Sequence, residues 1–221
     1  MEPGYTHIMV ILDRTGSMES IKDDVIGGFN SFLETQKASP GRATITLVQF
    51  DSQDPFEVVY AYRDVQDAPL LTSKTYVPRA CTPLLDALGR GMTELSRALE
   101  QSAEESRPEH ILFVVITDGL ENASREFRRA DIVRMMDERK QQGWQFAFLS
   151  ADLDAIQEAH NLGFAAHATM PYARSAQGVR LAFASLADSV RDVREARRRF
   201  LTLQDEDRRR QEEERKKSEG T

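Results

Sequence analysis

The stretch Ile8-Met9-Val10-Ile11-Leu12-Asp13-Arg14-Thr15-Gly16-Ser17-Met18 decides how this chain folds. Five apolar residues run without interruption into a carboxylate, and a hydroxyl, a glycine and a second hydroxyl follow. The run has strand length and no polar alternation, the pattern of a parallel strand covered on both faces. Asp13, Thr15 and Ser17 then lie at its carboxyl end, on the loop that enters a helix. Open α/β sheets bind ligands at that edge. All three side chains offer oxygen and none offers nitrogen or sulfur, which suits a hard cation such as Mg²⁺.

Outward from this strand, Met18, Ile21, Val25, Phe29 and Phe32 recur at helical spacing. Ala43 to Phe50 reads as a second strand and Phe56 to Tyr62 as a third, with five residues between them. A parallel crossover needs a dozen residues or more, so this pair is expected to be antiparallel, with the third strand at a sheet edge. Thr82-Pro83 opens a helix marked by Leu85, Leu88, Met92, Leu95 and Leu99. His110 to Thr117 is a second strongly buried strand ending in Asp118-Gly119, as the first ends in Asp13. A helix over Phe127 to Gln142, a strand over Trp144 to Leu149, a short helix over Asp152 to Asn161 and a sixth strand over Phe164 to Ala168 follow. The last apolar-striped helix starts after Ser175. This alternation predicts an α/β sandwich with a mostly parallel sheet.

The 221 residues carry a formal net charge of −7, which argues against a broad nucleic-acid-binding surface. A single cysteine, Cys81, excludes an intramolecular disulfide framework and a cysteine-rich zinc site. No basic leader precedes the first strand, and no apolar run approaches the ~20 residues of a membrane span, so a cytoplasmic protein is expected. His7, His110, His160 and His167 have no metal-ligand spacing. Cys81 reads as a small buried hydrophobe or as a reactive thiol beside Thr82, and Met135-Met136 as core. Beyond Leu203, blocks of acidic and basic residues alternate without an apolar stripe. The domain is therefore expected over residues 1–203, with 204–221 a disordered or frayed helical tail.

Asp13-Arg14-Thr15-Gly16-Ser17, Thr82 ahead of Pro83, and Thr117-Asp118-Gly119 together resemble the von Willebrand factor A domain over roughly residues 5 to 200. The three segments correspond to its metal-ion-dependent adhesion site (MIDAS). The resemblance implies a three-layer, six-stranded Rossmann-like sheet of order 3-2-1-4-5-6 with strand 3 antiparallel. It also implies Mg²⁺ or Mn²⁺ held by Asp13, Thr15, Ser17, Thr82 and Asp118, directly or through water. A partner's Asp or Glu then completes the coordination. Two departures stand out: Thr15 replaces the usual serine, and Arg79-Ala80-Cys81 precedes Thr82 where similar proteins often carry glycine.

Each segment alone has a simpler reading, Asp13 as a helix N-cap and Asp118-Gly119 as an ordinary turn. All five oxygens in order favour the site. Arg14, Met18, Glu19 and Glu121 are expected at a partner-binding rim, although Glu121 and Asn122 also read as plain solvated residues. The arginines between Arg191 and Arg199 read as a solvated face balanced by Asp188, Asp192 and Glu195. The expected function is a non-catalytic, metal-dependent protein-interaction module, monomeric, whose partner exposes an acidic residue. An AAA+ ATPase or an operon neighbour is a candidate, and neither nucleic acid nor membrane is. The alternatives are a Mg²⁺-dependent phosphoryl-transfer or hydrolytic enzyme and a degenerate domain without metal. A second carboxylate two residues after Asp13, a phosphate-binding glycine loop and a nucleophile-turn motif are all missing, which weighs against the enzyme.

Overall fold

The computed structural model describes residues 1–219. The apolar run forms β1 (Glu2–Asp13), followed by a 3₁₀ turn over Gly16–Ile21 and α1 (Lys22–Ala38). The chain continues through β2 (Ala43–Phe50), β3 (Glu57–Asp64), α2 (Leu84–Gln101), β4 (Pro108–Thr117), α3 (Arg129–Gln141) and β5 (Gln145–Ser150). It closes with α4 (Leu153–Leu162), β6 (Thr169–Pro171), α5 (Ala176–Arg194) and α6 (Asp205–Glu219). The strands make one sheet of order β3-β2-β1-β4-β5-β6. The β2–β3 pair is antiparallel, as its short connection demands, and every other pair is parallel.

Successive side chains of a strand face opposite sides, so the sheet carries two cores. Ile8, Val10 and Leu12 join Leu112, Val114 and Ile116 beneath α1 and α5. Met9 and Ile11 join Phe113 and Val115 beneath α2, α3 and α4. Three layers result, with β1 and β4 buried on both faces. The chain leaves β1 toward β2 and β3 and returns to pair β4 with β1. The topological switch point therefore falls between these two strands, and their carboxyl ends lie side by side.

Two expectations are corrected. The sixth strand is not Phe164–Ala168 but Thr169–Pro171. Gly163 takes the left-handed conformation at φ 106°, and the Phe164 N–H bonds back to the Ala159 carbonyl at 2.9 Å, closing α4. Phe164 is thereby committed to the helix end, its ring packed on Phe146 and Phe148, and an alanine-rich 3₁₀ turn follows.

The tail, expected to be disordered or a frayed helix, is a helix over Asp205–Glu219 that docks on α5 instead of fraying into solvent; residues 220–221 lie outside the described residues. It docks through polar side chains rather than an apolar stripe, which is why hydrophobic patterning carries no sign of it. Gln211 is 2% exposed; its Oε1 accepts from the Ala173 N–H (3.0 Å) and its Nε2 donates to the Gly178 carbonyl (2.8 Å). Arg208 donates to the carbonyls of Ala166 and Thr169, and Ser185 donates to Asp207. Ahead of the helix, Leu201 and Leu203 are buried in the core under α1 and α5.

Among the described residues no helix is long and apolar enough to cross a membrane.

Candidate metal centre

The register of β1 against β4 pairs Leu12 with Ile116, so Asp13 and Thr117 stand level at the sheet edge. The Thr117 hydroxyl donates to Asp13 Oδ2 at 2.6 Å, and the Thr15 N–H donates to Oδ1 at 2.7 Å. From there a chain of oxygens crosses the switch point. Thr15 Oγ1 lies 3.2 Å from Ser17 Oγ, and the Ser17 hydroxyl donates to Asp118 Oδ1 at 2.6 Å. Four of the five predicted ligands are joined in this way. Asp13, Thr15 and Asp118 are buried while Ser17 is exposed, so the cluster opens to solvent on the Ser17 side.

Thr82 stands on the neighbouring loop. Its N–H donates to Asn122 Oδ1 (2.8 Å) and its carbonyl accepts from the Asn122 N–H (3.0 Å). Its hydroxyl makes no hydrogen bond to the cluster among the described residues. The loop is tied to the cluster one step earlier, where the Gly16 N–H donates to the Ala80 carbonyl at 3.0 Å. Ala80 itself has φ +59°, so the backbone adopts the glycine-like conformation although the residue is alanine.

The rim residues divide. Glu19 is exposed. Arg14 and Met18 are buried, 4% and 0% exposed, and are not rim residues. Arg14 follows Asp13 in extended chain and so points to the other side of the loop. There it pairs with Asp51 (2.6 Å) and Glu57 (2.5 Å), and Arg79 joins the same Asp51 oxygen at 2.9 Å. Burial pushes the Asp51 carboxyl up, but the Arg14, Gln53, Asp54 and Arg79 donors outweigh it and hold it below the usual carboxylate range.

Glu121 also turns inward. Its Oε1 accepts from the Ala123 and Ser124 N–H groups, and its Oε2 accepts from the Leu85 N–H (3.0 Å) in the first turn of α2. It caps a helix instead of meeting a partner, as acidic groups at helix N-termini do. Cys81 is exposed, contrary to its reading as a buried hydrophobe. Met135 and Met136 are core. Arg191, Arg197 and Arg198 pair with Asp188, Asp192 and Glu195, whereas Arg194 is buried and donates to the backbone carbonyls of Gln36 in the last turn of α1 and of Ser39, Pro40 and Gly41 just after it.

Several residues shape the site without a sequence signal. The fully buried Tyr76 and Tyr172 donate to the carbonyls of Asp13 (2.6 Å) and Thr117 (2.9 Å), fixing both strand ends. Arg174 donates to the Asp118 carbonyl at 2.8 Å and lies 3.1 Å from Asp118 Oδ2. With the sixth strand placed at Phe164–Ala168, Arg174 falls well beyond a strand end. The observed Thr169–Pro171 puts it on the same sheet edge as Asp13 and Asp118.

The donor set fits a small divalent cation. Burial pushes the Asp13 carboxyl up to about 7, against the lowering pull of the Thr117 and Thr15 donors. Burial likewise raises Asp118, against Ser17 and Arg174. Two carboxyl groups buried this way are short of positive charge. Asp118 Oδ2 is buried without a hydrogen-bond partner. The Thr15–Ser17 separation of 3.2 Å is close to the ~3.0 Å edge of an oxygen octahedron built on 2.0–2.1 Å bonds. The side-chain donors of this set are carboxylate and hydroxyl oxygens, and among the described residues no three His, Cys, Asp or Glu side chains gather to hold a metal.

No protein-family model matches the sequence, and no curated protein does. Solved structures match the fold. The pilus adhesin SpaC from Lactobacillus rhamnosus GG, in an open conformation, is similar at TM-score 0.61 and 14% identity, over 87% of this chain and 30% of that one. Proximal thread matrix protein 1 from the mussel byssus, with a zinc-occupied MIDAS motif, is similar at TM-score 0.52 and 14% identity, over 88% and 46%. A von Willebrand factor type A protein from Catenulispora acidiphila is similar at TM-score 0.52 and 13% identity, over 84% and 42%. The chain thus spans less than half the length of each. It has a von Willebrand factor A-like fold.

Proposed function

We propose that the cluster at the carboxyl ends of β1 and β4 binds Mg²⁺ or Mn²⁺ and presents it to an acidic side chain of a protein partner. The observation that carries this reading is the linked set Asp13–Thr15–Ser17–Asp118: the Thr15 N–H donates to Asp13, and the Thr15 and Ser17 hydroxyls lead on to Asp118, so two buried carboxyl groups and two hydroxyls meet at one edge. Asp13, Thr15, Ser17 and Asp118 would hold the ion, with Thr82 contributing from its tethered loop. A bound divalent cation supplies an electrophilic position at which a partner's carboxylate completes the coordination. Neutral hydroxyls among the ligands leave the ion with net positive charge, which favours that carboxylate. The exposure of Ser17 supports access from outside. The zinc-occupied MIDAS motif of the mussel protein, a chain of similar fold, supports a divalent metal here.

The module is read as non-catalytic. Thr15 stands two residues after Asp13, where an aspartyl-nucleophile site usually carries a second carboxylate, and the sequence holds neither a phosphate-binding glycine loop nor a nucleophile-turn motif. The test is a titration of N-acetylglutamate amide into protein containing Mg²⁺, followed by amide NMR shifts. Shifts at Gly16–Glu19 and Gly119 that vanish in EDTA, and that the glutamine analogue does not produce, are expected. Equal shifts from the glutamine analogue, or shifts that survive EDTA, overturn the reading.

A further inference from the structure

Asp118 divides its carboxylate between two neighbours. Oδ1 accepts the Ser17 hydroxyl and belongs to the cluster. Oδ2, buried and without a hydrogen bond, lies 3.1 Å from the Arg174 guanidinium, which is anchored by its bond to the Asp118 carbonyl. The Arg174 side chain is 44% exposed and has room to leave. A guanidinium and a divalent cation sharing one carboxylate repel each other across a few ångströms.

The segment that presents Arg174 is fixed from behind. Tyr172 bonds the Ser150 and Thr117 carbonyls, Ala173 donates to Gln211, and Ser175 donates to Glu214 at 2.9 Å. Both Gln211 and Glu214 belong to α6. The C-terminal helix therefore braces the loop that aims Arg174 at Asp118.

We propose that Arg174 is a built-in counter-ion of the metal centre: α6 and the 172–175 segment hold its guanidinium against Asp118, and a divalent cation binds in competition with it. This rests on the reading of the cluster as a divalent-metal site. A residue that merely positioned Asp118 would favour metal binding, whereas a competitor opposes it, so the sign of the effect decides.

The experiment is calorimetric titration of Mn²⁺ into the wild type and into Arg174→Ala, Arg174→Gln and Arg134→Ala. Arg134→Ala removes the same charge from the exposed face of α3. Loss of one half-exposed ion pair predicts that Arg174→Ala and Arg174→Gln bind Mn²⁺ roughly 5- to 10-fold more tightly than wild type. Arg134→Ala stays within about twofold, the difference expected for a screened surface charge. Gln211→Ala tightens binding by a smaller factor and adds nothing on top of Arg174→Ala. Binding in wild type that is unchanged or weaker in both Arg174 variants overturns the inference and leaves the metal site standing. Absence of binding in every protein overturns the metal reading itself. Unchanged affinity in Gln211→Ala removes α6 from the account.

Discussion

The Asp13 carboxyl, pushed up to about 7 by burial, takes on its proton in a range where an unfolded aspartate has lost it. Between those two values the folded, cation-free protein binds the extra proton, so this residue's contribution to stability falls as the pH rises. His7 acts with the opposite sign over an overlapping range. Burial drops its imidazole to about 3, so stability is lost as the pH falls below the unfolded value of 6.5. The wild-type curve therefore mixes the two, and a variant separates them. In EDTA, the stability that Asp13→Asn gains over wild type grows from about pH 4 to about pH 7 and levels off above that, at no more than about 4 kcal/mol, measured by denaturant unfolding. A difference that does not vary with pH contradicts the account of Asp13. Ala80 offers a second test at this scale. Its φ of +59° strains an L residue, so Ala80→Gly raises stability by about 1 kcal/mol, read from the same unfolding curves. The oxygen ligands are legible in the sequence because their types and positions follow a strand end. The alternation that points Asp13 and Thr15 to one side also points Arg14 to the other, a signal within reach of the sequence. The inward turn of Glu121 had none, since the N–H it caps belongs to Leu85 on another element.

At the scale of elements, the strands and helices that bury apolar stripes are legible in their periodicity, and the elements held by polar contacts are not. β2 falls at the predicted Ala43–Phe50 because every one of its residues is buried. β6, three residues long, carries too little pattern to be placed, and α6 buries a glutamine where a helix usually buries leucine. Gln211→Ala strands the buried Ala173 N–H and Gly178 carbonyl and is expected to cost about 1–3 kcal/mol, measurable as a shift in the denaturant midpoint with unchanged slope. Gly178 marks the same junction. A Cβ there would lie 2.2 Å from the Ala173 carbonyl oxygen, a backbone atom that cannot swing aside. Gly178→Ala is expected to destabilise by about 1–3 kcal/mol. It should also displace the Arg174 segment, visible as amide shifts at Tyr172–Ser175. A silent substitution contradicts the close approach of α5 to that loop.

For the whole molecule, the order β3-β2-β1-β4-β5-β6 places the switch point between the two strands that end in Asp13 and in the Thr117-Asp118 pair. No single segment makes the centre. The end of β1 supplies a carboxylate and the turn after it two hydroxyls, the residue after β4 supplies the second carboxylate, and the loop after β6 supplies the arginine that answers it. Folding thus gathers charge that is spread over more than 150 residues of chain, from Asp13 to Arg174. The most direct test of the metal centre is unfolding of wild type and Asp118→Ala in EDTA, Mg²⁺ and Mn²⁺. At 100 times its dissociation constant the ion adds about 2.7 kcal/mol to the wild type. The account predicts that gain in wild type and none in Asp118→Ala. No gain in wild type at millimolar Mg²⁺ or Mn²⁺, or an equal gain in the variant, would contradict it.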